Sequence, residues 1–168
     1  GHVETVAERV EHMRRIRDLQ DETGGFTAFI PWTFQRENTA LGRKNKDEPT
    51  GIDYLKMLAV SRLFLDNIEN FQSSWLTQGL RLGQVALRFG ANDMGSIMIE
   101  ENVVSAAGAS NSADEKMLRY LIAEAGFIPQ QRDILYKHVN REPLPPQTEE
   151  YPQVTQITQI NGLRSSVE

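Results

Sequence analysis

A chain of 168 residues, 39% apolar, is long enough for one ordinary core, and a net charge of -5 with a sequence pI near 5.3 argues against nucleic-acid or anionic-membrane partners, which need clustered Lys and Arg. The absence of cysteine excludes disulfides, thiolate metal sites and a cysteine nucleophile, and points to a reducing, cytoplasmic setting. No apolar run reaches the roughly 18 residues of a membrane span, and no charged-then-apolar leader opens the chain.

The chain starts GHVET, which reads either as a tag remnant or as the end of an interrupted strand. From Glu4 to Gly25 the apolar residues Val6, Val10, Met13, Ile16 and Leu19 recur every three or four positions, which predicts an amphipathic helix closed by Gly24-Gly25. The aromatic and β-branched run at 26–30 predicts a buried strand, ended by Pro31. Residues 31–50 lack apolar periodicity and read as a long loop, of the kind that is usually functional or mobile. Its basic cluster Arg43, Lys44 and Lys46 is offset at once by Asp47 and Glu48, as a solvated loop would be.

A helix is expected over 52–65, a second strand over FQSSW at 71–75, another helix over 79–89 and a third strand over 94–99. Alternating strands and helices are the pattern of βαβ units around a parallel sheet. After that the pattern changes. Ser112 to Glu115 reads as a capping box opening a helix that Gly126 closes, and Pro129 as the first turn of another helix carrying Ile134, Leu135 and Val139 and ending near Asn140. The Gln- and Thr-rich tail from Glu142 reads as extended, with VTQIT at 154–158 as a candidate edge strand.

In parallel α/β architectures the loops after the strands' carboxyl ends form the active face. Those loops would hold Pro31, Trp32, Phe34, Gln35 and Asn38 after the first strand, and Trp75, Thr77 and Gln78 after the second. Glu100, Glu101 and Asn102 would follow the third, and His2 and Glu4 join them if GHVET ends a strand. Aromatic platforms beside amides and carboxylates suit a planar, hydroxylated, nucleoside-type ligand. Each group has a plainer reading beside this one. Trp32 and Trp75 are either packing residues or ligand contacts; Glu100 and Glu101 either line the rim or begin the next helix. His12 and His138 fall on predicted helices as solvent-facing or packing residues. No GxGxxG, P-loop, GxSxG or HExxH motif occurs, and three scattered histidines build no metal site.

The words DETGGFTAFIPWTFQRENTAL, TGIDYLKMLAVSRLFLDNI, QSSWLTQGLRLGQVALRFGANDMGSIMIEENVVSAAG and AGFIPQQRDILY closely resemble the C-terminal half of the dehypoxanthine futalosine cyclases. That family comprises radical S-adenosylmethionine (radical SAM) enzymes of the futalosine route to menaquinone. Aminofutalosine synthases and deazaflavin-cofactor synthases share parts of these words, but GSIMIEENVVSAAG favours the cyclase. The resemblance implies an α/β fold: the C-terminal half of a (βα)8 TIM-type radical SAM barrel with C-terminal cap helices. Residues 1–110 would run from the end of strand five to strand eight, 111–141 would form the cap helices and 142–168 an extended tail.

In the family, S-adenosyl-L-methionine is cleaved at a 4Fe-4S iron-sulfur cluster, and the resulting radical abstracts a ribose hydrogen so that the sugar cyclises onto the aromatic ring. The resemblance implies Glu100 as a catalytic proton acceptor. His2, Glu4, Trp32, Gln35, Trp75, Gln78, Glu101 and Asn102 would bind substrate or SAM. It also makes GHVET native barrel sequence rather than a tag. The family's CxxxCxxC cluster motif has no counterpart here. The expectation is therefore a fragment inactive by itself, with an exposed inner face lined by Phe29, Ser73 and Met98, which pairs with the missing N-terminal half, self-associates or is an ordered remnant of a longer chain. A stand-alone nucleoside-binding module that lost the radical chemistry is the alternative from another class.

Overall fold

The computed structural model describes residues 3–44, 49–97 and 111–139. In chain order these form α1 (Val6–Thr23), β1 (Ala28–Phe29), α2 (Ala40–Lys44), α3 (Gly51–Phe64), β2 (Asn70–Phe71), α4 (Trp75–Gln78), α5 (Leu80–Ala86) with a 3-10 turn (Leu87–Phe89), and α6 (Glu115–Glu124). The chain is α/β, with helices around a small parallel sheet.

α1 begins at a capping box: the Thr5 hydroxyl accepts from the Glu8 N–H while the Glu8 carboxylate accepts from the Thr5 N–H at 2.7 Å. It ends at Gly24, whose φ of 59° lets the amide turn back to Gln20 O. The expected stripe is only partly used. Met13 is buried and Ile16 packs against the core, whereas Val6 is 76% exposed. Polar bonds hold the rest of the helix: Arg17 donates to Phe64 O at 2.6 Å, and the Asn67 amide donates to Arg17 O and to Asp21.

α3 repeats the device, with Thr50 and Asp53 forming its capping box. Its buried face is Tyr54, Leu58 and Ser61, continued by Leu65 just past its end. That spacing of three and four places them on one side of the helix, against the sheet.

Ala28 pairs with Asn70 and Phe29 with Phe71, in parallel. A further parallel bridge joins Gln72 to Asp93, so the segment at Asp93 lies on the other side of β2. The Ser73 N–H donates to Asp93 O at 2.7 Å, and the Asn92 N–H to Phe71 O at 3.0 Å. Each crossover carries helices, α3 in the first and α4 and α5 in the second. The core gathers Tyr54, Leu58, Leu65, Ile68, Phe71, Trp75, Ala86, Leu87 and Met94, and α6 adds Leu118.

Several sequence expectations change. FQSSW is not a strand throughout: pairing stops at Gln72, and Trp75 opens α4. The loop over 31–50 contains α2. α6 is capped by Asp114, not Ser112; the Asp114 carboxylate accepts from Met117 N–H at 2.7 Å. No helix forms over 129–139. Arg132 and His138 instead bridge antiparallel around a tight turn in which Tyr136 has a φ of 60°. The Asp133 carboxylate accepts from the amides of Leu135 and Lys137, a local bond that competes with helix formation.

The register of the open face is also shifted by one. Successive strand residues face opposite sides. Phe29 and Phe71 meet at 5.7 Å between ring centroids and pack into the core, and Ser73, 1% exposed, donates to Gly83 O. Ala28, Ile30 and Gln72 therefore belong to the other face, not Phe29 and Ser73. The third strand expected over 94–99 does not form over 94–97, the parallel bridge falling just ahead of it at Asp93; Met98, Ile99 and the tail with its 154–158 segment lie outside the described residues.

Candidate functional site

The first turns of α1 and α3 and the loop leaving β1 enclose a cavity of about 460 Å³. Phe29, Ile30, Pro31 and Met57 give it an apolar floor, and Glu4, Glu8, Arg9, His12, Thr33 and Asp53 bring polar groups around Trp32 and Tyr54. The cavity sits at the carboxyl end of β1, where the strand-end rule expects ligands.

The carboxylates here have defined partners. Glu4 accepts from Arg9 Nε at 2.9 Å. The Thr5 backbone N–H and then its hydroxyl hold Glu8 below the ordinary glutamate range. For Asp53 the Thr50 hydroxyl contributes most, followed by its N–H, and its pKa is also lowered. Both stay ionised at neutral pH at the positive ends of their helices.

Of the residues expected around a ligand, Glu4 and Trp32 line this cavity, and the Trp32 ring is 51% exposed. Gln35 and Gln78 come together on a neighbouring polar cluster, since both amides donate to the Thr33 hydroxyl. Trp75 is placed differently. At 2% exposure it lies in the core, backed by Gly83, where an added Cβ would come within 2.5 Å of Trp75 Cβ. His2, Glu100, Glu101 and Asn102 lie outside the described residues. His12, assigned to solvent or packing, lies on the cavity wall. Sequence reading missed Glu8, Asp53 and Thr33. The first two were signalled by TVAE and TGID, each with the Thr-x-x-acid spacing of a capping box.

The polar cluster is anchored from below. Gln78 also approaches Thr77 Oγ1, which lies 2.6 Å from Ser74 Oγ, and the Ser74 N–H donates to the Tyr54 hydroxyl at 2.9 Å. Burial keeps the Tyr54 phenol above its ordinary pKa, so it serves as a neutral hydroxyl.

A second cavity, about 510 Å³, lies beside residues 92–97, between α6 and the hairpin at 127–138. None of the expected site residues that are described lines it. Its polar centre is Asp93, whose Oδ2 accepts from Arg132 Nη2 at 2.6 Å and from the Tyr136 hydroxyl at 3.0 Å, while Oδ1 accepts from Gly95 N–H. The Arg132 guanidinium stacks on the Tyr136 ring, 4.1 Å from its centroid. Burial, then the Asp93 charge, pushes the Tyr136 hydroxyl up to about 12. For Arg132 burial pulls downward, but the hydrogen bond and charge of Asp93 prevail and raise it.

Among the described residues no three His, Asp or Glu side chains converge as a metal set. With no thiolate in the chain, its donor set does not fit an iron-sulfur cluster. No described helix is long and apolar enough to cross a membrane.

A parallel βαβ frame with a cavity at the carboxyl end of its first strand makes this an α/β protein. The chain belongs to the family described as the CofH/MqnC C-terminal region, which it matches over residues 23–144. It is 52% identical over 139 residues, 83% of its length, to a cyclic dehypoxanthine futalosine synthase of Streptomyces coelicolor, covering 34% of that protein. It is 54% identical over 82% of its length to the protein of that name from Halalkalibacterium halodurans, covering 36% of it. An aminodeoxyfutalosine synthase of Thermus thermophilus is 44% identical over 83% of the chain, which covers 38% of it. The chain thus spans about a third of the length of these curated relatives.

Proposed function

We propose that the chain is the C-terminal, substrate-side part of a radical SAM enzyme that cyclises dehypoxanthine futalosine to cyclic dehypoxanthine futalosine in menaquinone biosynthesis. Its strands then supply the last part of a (βα)8 barrel. The observation that carries this reading is 52 to 54% identity to two synthases of that name across more than four-fifths of the chain. The strand-end cavity, with an exposed indole and hydrogen-bonding groups around an apolar floor, supports it.

In this reading Trp32 stacks on a planar ring of substrate or SAM, Glu4 is held in place by Arg9, and Gln35 and Gln78 face sugar hydroxyls. Glu100 is the proposed proton acceptor, with His2, Glu101 and Asn102 on the same rim; these four rest on sequence alone. The reading leaves the core-buried Trp75 a support beneath the rim. The 4Fe-4S cluster must be held by other parts of the enzyme, so the 168 residues alone are inactive. Their natural partner is the N-terminal part of the barrel, and a cysteine-free chain of this kind suits the cytoplasm.

The test is anaerobic incubation of the full-length enzyme with dehypoxanthine futalosine, S-adenosylmethionine and dithionite. Cyclised product is expected, and its absence would end the cyclase reading. The 44% identity to an aminodeoxyfutalosine synthase favours one second reading, and formation of aminodeoxyfutalosine by the same enzyme would establish it.

A further inference from the structure

Thr33 stands between two amides. Its Oγ1 accepts from Gln78 Nε2, reaching across from the end of α4 after β2, and from Gln35 Nε2 at 3.2 Å. A hydroxyl oxygen offers two lone pairs and one proton. Both lone pairs are engaged, so only the O–H remains for another partner. Each amide turns its NH2 toward that oxygen, and neither Oε1 accepts a hydrogen bond from a described residue. One donor is thus flanked by two acceptors from two different strand-end segments, the loop after β1 and the helix after β2.

A simple latch between the loops would need Gln78 alone. Gln35 lies on the same loop as Thr33, two residues on, and adds no cross-link. What it adds is directionality, because it takes the last lone pair and leaves the hydroxyl a pure donor. Thr33 also lines the strand-end cavity beside the exposed Trp32 ring, which brings a hydrogen-bonding triad next to an aromatic platform. The triad does not depend on solvent for its placement, since Gln78 is backed through Thr77 and Ser74 by the buried Tyr54.

We propose that Thr33, Gln35 and Gln78 recognise the vicinal diol of a ribose, with Thr33 as the residue that sets the two carbonyl oxygens; this rests on the nucleoside reading above. The two diol hydroxyls donate to Gln35 Oε1 and Gln78 Oε1, and the Thr33 hydroxyl donates to one of the diol oxygens. Two ligands of the proposed enzyme carry such a diol, the substrate and S-adenosylmethionine, and the triad accepts one of them.

The experiment measures Kd in the full-length, cluster-loaded enzyme for dehypoxanthine futalosine and for S-adenosylmethionine, each against its 2′-deoxy analogue. The wild type is expected to prefer one of the two diols about tenfold, the scale of a lost hydrogen bond to a site built for it. Thr33→Val and Gln35→Leu should bring that ratio close to one, and Thr33→Ser should restore it. Gln35→Leu leaves the inter-loop bond intact, so it decides the matter if Thr33→Val fails to fold. Ratios for both ligands that are the same in wild type and variants would overturn the diol site. Failure of the cyclase reading shows separately, as absent product from wild type, and the S-adenosylmethionine ratio then still decides the triad.

Discussion

The two cavities are similar in size, about 460 and 510 Å³, yet their polar groups are arranged in opposite ways. At the strand-end cavity Glu8 and Asp53 are turned back onto their own helices as caps, and the Thr33 triad keeps one donor and two acceptors available. At the second cavity both Asp93 oxygens are engaged, in bonds to Gly95, Arg132 and Tyr136. A surface built to bind retains hydrogen-bonding capacity at fixed positions. A surface built to fasten uses its capacity internally.

That contrast can be broken first at Asp93. Asp93→Ala strips a partly buried guanidinium of its partner and should cost about 2 kcal/mol in urea unfolding, the scale of a hydrogen bond to a charged group. A loss under about 0.5 kcal/mol would show that the fastener holds nothing. Next in size, Thr50→Ala should cost about 1 kcal/mol through its helix cap, without the loss of the hairpin that Asp93→Ala causes. Amide exchange of the hairpin residues would separate the two effects.

Opposite pH limits sharpen the comparison further. Glu8 and Asp53 have depressed pKa values, so their stabilisation is full above their unfolded values and fades as pH falls through the folded ones. Glu11, bonded first by Arg14 and then by Arg15, is held at about 2 against an unfolded 4.5, and α1 should weaken progressively between those values. Tyr136 is raised to about 12 from 10, so its contribution is complete below 10 and lost as pH rises through 12. Acid melts should therefore be eased by Glu11→Gln, and alkaline melts by Tyr136→Phe. The smallest stability effect is expected for Trp32→Ala, under about 0.5 kcal/mol for a half-exposed ring, together with weaker ligand binding.

The alternation of strand and helix was readable because α1, α3 and α6 combine caps with apolar spacing, and GG at 24–25 stops the first of them. The hairpin near 132–138 was not, because Pro129 followed by Ile134, Leu135 and Val139 imitates a helix start. Asp133 then redirects the backbone with its own side chain. The one-residue shift of the open face came from FQSSW, where polar residues occupy both faces and Phe71 decides the register only through its contact with Phe29. The strand-end rule placed Gln35 and Gln78 at one end of the sheet but passed over Thr33, which meets Gln78 from 45 positions away. It could not separate Trp32 from Trp75, because exposure follows from whether the chain continues as a loop or turns into a helix over Gly83.

Asp93 has one more consequence, which concerns how much polypeptide the sheet requires. The residue that extends the parallel sheet beyond β2 is also the one on which Arg132, 39 positions later, is hung. A truncation just ahead of Arg132 would not merely shorten a terminus. It would strip the Asp93 carboxylate, 11% exposed in the intact chain, of both the guanidinium and the phenol that hold it, at the point where the sheet continues. A carboxylate in the sheet thus ties it to a segment that reaches Tyr136.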